Sequence, residues 1–379
     1  MELELSPEQE MLRQSARSFF ESTCPLDEVR ARAQDSEHGY SREWWSKAAA
    51  LGWTEILSFP GPEGVGQPGL RELCLIAQEM GRLVAPGPLV PVSIVSARLE
   101  RSGTTPEHDE FHAALVSGAA TAAWAFEELG GHWDGNGSGV RIQAKGDSIV
   151  LSGEKTPVEG VGGATAMLVA GVSETGLTQT IVPTGAPGVE VHPLQALDFV
   201  RRFSRVTFDD VVLPQSSLVG EYGGARSDIE EQLNAALCLQ LAESTGALDR
   251  VFEFTLDYAF NRYSFGRPIA SYQALKHRFA LMKMNLEACT AIAEAAIAAV
   301  AAGDHDAPRL VSIAKSFVGK HAPEVVQECV QMHGAIGVTW EHDLHLYLRR
   351  ITGNALQYGS VQQHQDRLAT LLLAAGGAR

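Results

Sequence analysis

Arg262-Tyr263-Ser264-Phe265-Gly266-Arg267-Pro268-Ile269 is the stretch around which the rest of the chain is organised. An apolar-periodic segment runs into it. Pro268 stops that segment, because proline lacks a backbone N–H and clashes with the preceding turn. Tyr272 and Gln273 lie just behind. A second punctuated stretch, Gln331-Met332-His333-Gly334-Ala335-Ile336-Gly337, follows about two helices later. Charged and aromatic residues crowd the first break and glycines punctuate the second, as expected of two loops that handle one shared ligand.

Upstream, Ile229, Leu233, Leu237, Leu241, Leu248, Phe252, Leu256 and Phe260 fall mostly four apart, which predicts one long helix from Ser227 to the break. Downstream, helical periods cover 272–302, 307–332 and 340–357, with a short helix after Val361. Four long helices in series make an antiparallel bundle, assigned to 223–379. At the other end, Ser6-Pro7-Glu8-Gln9 is a helix start: a hydroxyl cap, proline in the first turn, and glutamine at the capping-box position. With helices at 42–51 and 70–83, residues 1–115 read as an all-α domain. Between the two, 116–222 is rich in Val and Thr and broken by Gly, Asp and Pro. Strands are expected at 140–144, 148–152, 166–170, 179–182 and 205–208, forming a small antiparallel β domain. The fold class is α+β, in the order α, β, α.

The formal charge of −16 argues against nucleic acid and anionic membrane as partners, although a local site can still take an anionic ligand. Met1-Glu2-Leu3-Glu4 has neither a basic nor an apolar character, so no signal peptide is expected. The most apolar run, around 295–302, is too short and alanine-rich for membrane insertion. Cys24, Cys74, Cys238, Cys289 and Cys329 are scattered without a CxxC pair, which suits reduced thiols in the cytoplasm. His342 and His345 share a helix face, but no nearby Cys or carboxylate cluster completes a metal site, so none is expected.

The order of elements and three motifs resemble the acyl-CoA dehydrogenase family over nearly the whole chain. The motifs are Arg262-x-x-Phe265-Gly266-x-Pro268-Ile269 with Gln273, Gln331-x-x-Gly334-x-x-Gly337, and the strand 202–213 that leaves the β domain. The resemblance implies FAD between the β domain and the bundle, a tetramer, and α,β-desaturation of an acyl-CoA with electrons passed to electron-transfer flavoprotein or a similar acceptor. It also implies that Arg262, Ser264, Phe265, Gln273, Gln331, Gly334 and Ala335 (where a second glycine is usual) reach across a subunit interface to a neighbour's FAD. Taken alone, Arg262 could cap a helix C-terminus and Gly334 could be a C-cap glycine.

The α-proton needs a carboxylate base, and the sequence departs from the family there. One family position for it corresponds to Tyr358, in Tyr358-Gly359-Ser360; tyrosine, with an ordinary pKa of about 10, is a poor base. Counting 29 residues back from Phe265 reaches the other, which is Ala236. Glu243 shares a helix face with Ala236 about 10 Å further along the axis, which makes it a weak substitute. The stretch that faces flavin and substrate in the family is here Phe126-Glu127-Glu128-Leu129-Gly130-Gly131. The Trp-Ile-Thr that backs the flavin is Pro157-Val158-Glu159. Elements for the chain's own flavin are thus replaced and those for a neighbour's are kept. That pattern resembles the base-lacking subunit of the α2β2 heterotetramers of actinobacteria, whose homologous partner carries the base and which accept bulky acyl groups such as steroid side chains. Two alternatives stay open: a self-sufficient homotetramer using Glu243, and a non-redox acyl-CoA-binding member of the fold.

Overall fold

The computed structural model describes residues 5–35, 39–59, 66–102, 105–128 and 139–376. Six helices come first: α1 (Pro7–Thr23), α2 (Leu26–Asp35), α3 (Arg42–Ala49), α4 (Leu70–Arg82), α5 (Leu89–Ser102) and α6 (Pro106–Val116). The capping box at Ser6 forms as its residues require. The Ser6 hydroxyl accepts from the Gln9 amide, and the Gln9 side chain accepts from the Ser6 amide. Three of these helices, α2, α5 and α6, have no clear sequence period. In α5 the reason is that almost every position from Leu89 to Leu99 is buried, so no polar face marks it.

Seven strands follow: β1 (Ala122–Ala125), β2 (Val140–Lys145), β3 (Ser148–Glu159), β4 (Ala166–Val172), β5 (Leu177–Pro183), β6 (Val189–Leu194) and β7 (Phe203–Pro214). They form one sheet of order β1-β4-β2-β3-β7-β6, with β5 on β4. Most pairs are antiparallel, but β1 runs parallel to β4 from Ala122↔Ala166 to Ala125↔Val169, and β2 meets β4 in parallel at Arg141↔Val172. The sheet is therefore mixed rather than purely antiparallel. The β2–β3 hairpin lies between β1 and β4 in sequence, and the chain returns to β1 in the same direction. Alternation decides what each face meets. Ala123, Ala125, Met167 and Val169 enter the core of the β domain, while Trp124, Phe126, Leu168 and Ala170 face the helices. β1 is buried on both faces and alanine-rich, which hid it from a period-2 search. β6, at the sheet edge, carries Pro193, the residue that demotes a strand in sequence.

The last part holds α7 (Arg226–Asn261), α8 (Gln273–Ala302), α9 (Ala307–His333), α10 (Leu344–Leu356) and α11 (Val361–Gly376). Every residue from Gln232 to Leu248 of α7 is buried. α4 and α7 touch backbone to backbone. A Cβ on Gly81 would lie 2.0 Å from the Glu243 carbonyl oxygen, and one on Gly246 would lie 1.9 Å from that of Gln78. Although the run around 295–302 is short, the whole of α8 has the length and apolar composition of a membrane span. Here it packs between α7 and α9 and leaves Leu281 and Met284 exposed.

Candidate functional site

The break at Arg262 folds into a hairpin. Two short strands, β8 (Tyr263–Ser264) and β9 (Arg267–Pro268), pair around Phe265 and Gly266. Both turn residues have positive φ, +50° and +79°, the signature of a type I′ turn whose twist suits a hairpin. Glycine adopts that conformation freely; Phe265 adopts it at a cost. The hairpin base is tied by the Ile269 amide donating to the Arg262 carbonyl at 2.8 Å. The Tyr272 hydroxyl donates to the Ser264 carbonyl at 2.9 Å, and the Arg267 guanidinium lies over the Tyr272 ring at 3.9 Å. The scaffold is fixed while its tip is bare. Phe265 is 97% exposed, Tyr263, Arg262 and Gln273 are also exposed, and Ser264 is half-buried.

The second stretch ends α9. Gly334 turns the chain with φ +65°, its amide donating to the Gln331 carbonyl. Gln331, Gly334, Ala335, Ile336 and Val338 are exposed. The two stretches meet at their roots. The Tyr258 ring stacks on His333 with centroids 4.4 Å apart, and its hydroxyl donates to the His333 carbonyl at 3.3 Å. The structure thus brings Arg262, Phe265, Gln331 and Gly334 to one outward-facing edge.

The positions for the chain's own chemistry have the opposite surroundings. Ala236 is fully buried, and Tyr358, between α10 and α11, is 5% exposed. Trp124 stacks on Phe126 at 4.7 Å and tilts against Tyr358 at 5.6 Å, so aromatic side chains fill the junction of sheet and bundle. Beside them lies a buried ionic network. Arg201 donates to Glu243 at 2.5 Å and to Asn354 at 2.9 Å, and pairs with Glu159 at 3.3 Å. Arg350 donates to Glu243 at 2.5 Å and also pairs with Asp198. Asn354 donates to Glu243 at 3.0 Å, and Gln357 donates to Glu159 at 3.1 Å. Burial opposes ionisation of Glu243, but Arg201 and Arg350 outweigh it and hold the carboxyl below its ordinary range. Glu243 is therefore not a base. Its oxygens are committed to two guanidinium groups, and a base must be free to reach its substrate.

Lys315 on α9 donates to Gln240 and to the carbonyls of Asn354 and Gln357, the last at 2.7 Å, which caps the end of α10. Burial pulls its pKa down to about 7. Glu127, just after β1, accepts from the Tyr358 amide at 2.7 Å; desolvation pushes its carboxyl up to about 7. His364 on α11 donates to the Tyr358 carbonyl at 3.0 Å and is held neutral by burial, its pKa drawn down to about 3. The cavity bordered by Gln240, Lys315 and Asn354 is about 10 Å³, the lower limit for a single water. Leu129, Gly130 and Gly131 lie outside the described residues. Sequence reasoning missed Asp198, Arg201, Lys315, Arg350 and Asn354. They come from three separate parts of the chain and carry no motif.

Two family models cover most of the chain: "Acyl-CoA dehydrogenase, N-terminal domain" over residues 6–119 and "Acyl-CoA dehydrogenase, C-terminal domain" over residues 224–373. The chain belongs to the acyl-CoA dehydrogenase family. Acyl-CoA dehydrogenase IpdE2 of Mycolicibacterium smegmatis is 26% identical over 364 residues, 96% of this chain and 98% of that one. Among solved structures, the Tcur3481-Tcur3483 steroid ACAD superposes with a TM-score of 0.84 at 26% identity, covering 98% of this chain and 99% of that chain. One chain of the ChsE4-ChsE5 complex from Mycobacterium tuberculosis shares the fold, with a TM-score of 0.86 at 22% identity over 98% and 99% of the two chains.

Acyl-CoA dehydrogenases are FAD-dependent oxidoreductases, and FAD is the cofactor that this chain's family membership brings. The residues present fit it unequally. The exposed edge offers an arginine, amide side chains and an aromatic ring to a dinucleotide. The centre does not fit a flavin of its own: Trp124, Phe126 and Tyr358 occupy the junction, and the Glu159 and Glu243 carboxylates beside them are committed to Arg201 and Arg350.

Proposed function

We propose that this chain is the helper subunit of a heteromeric acyl-CoA dehydrogenase. Its partner, a homologous chain, supplies the carboxylate base and the flavin-ring contacts. The observation that carries the proposal is the contrast between a filled, ion-paired centre around Tyr358 and a rigid hairpin that presents Phe265 to solvent. A self-sufficient enzyme needs the reverse, an open centre. In the complex, Arg262, Ser264, Phe265, Gln273, Gln331, Gly334 and Ala335 would hold the partner's FAD, the arginine at its phosphates. FAD supplies a hydride acceptor for the β-carbon of the acyl thioester while the base removes the α-proton. Exposed Leu281 and Met284 on α8 offer apolar surface to a neighbouring chain. The likeness to a steroid ACAD and to a two-component complex supports a bulky acyl group, such as a steroid side-chain thioester, and a paired assembly. Electron-transfer flavoprotein or a similar carrier would then take the electrons.

The test is to purify the chain alone and together with a base-containing homologue. The expected result is a colourless, inactive isolated chain, and a yellow, active complex with one flavin for each partner chain. A yellow homo-oligomer that desaturates acyl-CoA by itself would sink the proposal.

A further inference from the structure

Away from both regions, a cleft of about 310 Å³ opens between α2, the loop before β7 and the start of α10. Arg30, Ala33, Phe199, Trp340, His345 and Leu346 line it. Its size suits a small molecule. Trp340 is 45% exposed and lies flat on the His345 imidazole, centroids 4.5 Å apart and planes 13° from parallel. Burial lowers the pKa of His345, so the ring is a neutral stacking partner. Phe199 tilts against Trp340 at 5.7 Å, and the Arg349 guanidinium covers the Phe199 ring at 4.0 Å.

Cations converge on the same place. Arg30 pairs with Asp343, and Arg349 donates to the Leu197 carbonyl at 3.2 Å. Arg202 ties the cleft walls together through the carbonyls of Phe199 and Ala33. The Nε of Arg30 and that of Arg349 are buried without a hydrogen-bond partner among the described residues. Among the described residues, Asp343 and Glu341 are the carboxylates beside Arg30, and none pairs with Arg349. Stacked aromatic rings beside unsatisfied guanidinium donors are the two halves of nucleotide recognition. A π-face takes the base, and a planar N–H fork takes the phosphate.

We propose that this cleft binds a nucleotide, with its base against Trp340 and Phe199 and its phosphate at Arg30 and Arg349. The ligand is a free nucleotide or the nucleotide end of coenzyme A, which share this chemistry. The inference does not rest on the helper-subunit reading, because the cleft is built wholly from this chain.

The experiment titrates the full-length chain with AMP, ADP, coenzyme A and inorganic phosphate, following heat and tryptophan fluorescence at low and high salt. One saturable site per chain is expected, with quenching of tryptophan by the nucleotides and none by phosphate. Tighter binding of coenzyme A than of AMP or ADP assigns the source to the thioester carrier; the reverse order assigns it to a free nucleotide. Trp340→Leu and Arg349→Gln should each raise Kd about tenfold, and the arginine variant should also weaken the salt dependence. Absence of saturable heat and quenching with all three nucleotides in the wild-type chain overturns the proposal. So does a folded Trp340→Leu chain that binds as tightly as the wild type.

Discussion

Phe265 and Tyr358 are aromatic residues with positive φ, +50° and +57°, in loops that close bundle helices. One is 97% exposed and the other 5%. Around Phe265 the hydrogen bonds are local and tie the hairpin to itself, while Ile269 and Ala270 anchor its base in the core. Around Tyr358 long-range bonds join the β domain through Glu127 and α9 through Lys315, and a shorter-range one reaches α11 through His364. A rigid exposed tip is suited to contact something outside the chain. A cross-braced centre is suited to hold the chain's own domains together. Between sheet and bundle this chain spans the gap with ion pairs from Glu159 through Arg201 and Glu243 to Arg350. Those pairs make mutual satisfaction obligatory, because an unpaired charge left there is costly.

The largest effect should come from breaking that brace. Arg350→Ala leaves Glu243 and Asp198 without their shared cation, and should cost about 3–5 kcal/mol in denaturant unfolding. A loss below about 1 kcal/mol would show that the centre is not braced in this way. Next is pH. The Glu127 carboxyl titrates near 7 in the fold against 4.5 when free. Its contribution is therefore full below pH 4.5 and lost as pH rises through 7. Lys315 runs oppositely, contributing above 10.5 and losing that contribution as pH falls through 7. Stability should thus carry a dip near neutrality. Glu127→Gln should remove the falling limb between pH 4.5 and 7, on the order of 3 kcal/mol; an unchanged limb in urea titrations would place its origin elsewhere.

The exposed edge should respond differently. In a reconstituted complex, Arg262→Ala should weaken FAD retention about tenfold, while unfolding of the isolated chain hardly changes. Equal flavin content in the wild-type and variant complexes would count against the trans role. The smallest effect is expected of Phe265→Gly, which relieves a strained φ at an exposed site. It should shift stability of the isolated chain by no more than about 0.5 kcal/mol. A larger loss would mean that the tip packs against its own chain after all.

Much of this architecture was legible in the residues. The capping box at Ser6 and the four-residue spacing along α7 are local signals that tertiary context did not override, whereas α7 ends at Asn261, ahead of Pro268, which lies in β9. The two breaks and the helix-ending Gly334 were legible as well, but the hairpin was not, because Phe265 is not a residue type that signals a positive φ. The substitutions at Ala236, Tyr358 and Pro157 were visible too, as residue types that cannot do the expected chemistry. What replaced that chemistry was not visible. Asp198, Arg201, Glu243, Lys315, Arg350 and Asn354 are ordinary in sequence, and only the packing of four segments turns them into one network. The same holds for β1, whose alanines have little strand preference and become a strand because both of its faces are covered. The sequence by itself determined the family, the order of the layers and the positions of the two breaks, since those follow from period, caps and motif spacing. Only the tertiary structure decided that the centre is filled and that Glu243 is a structural anion. Burial and charge pairing are properties of what the chain brings together, not of any stretch of it.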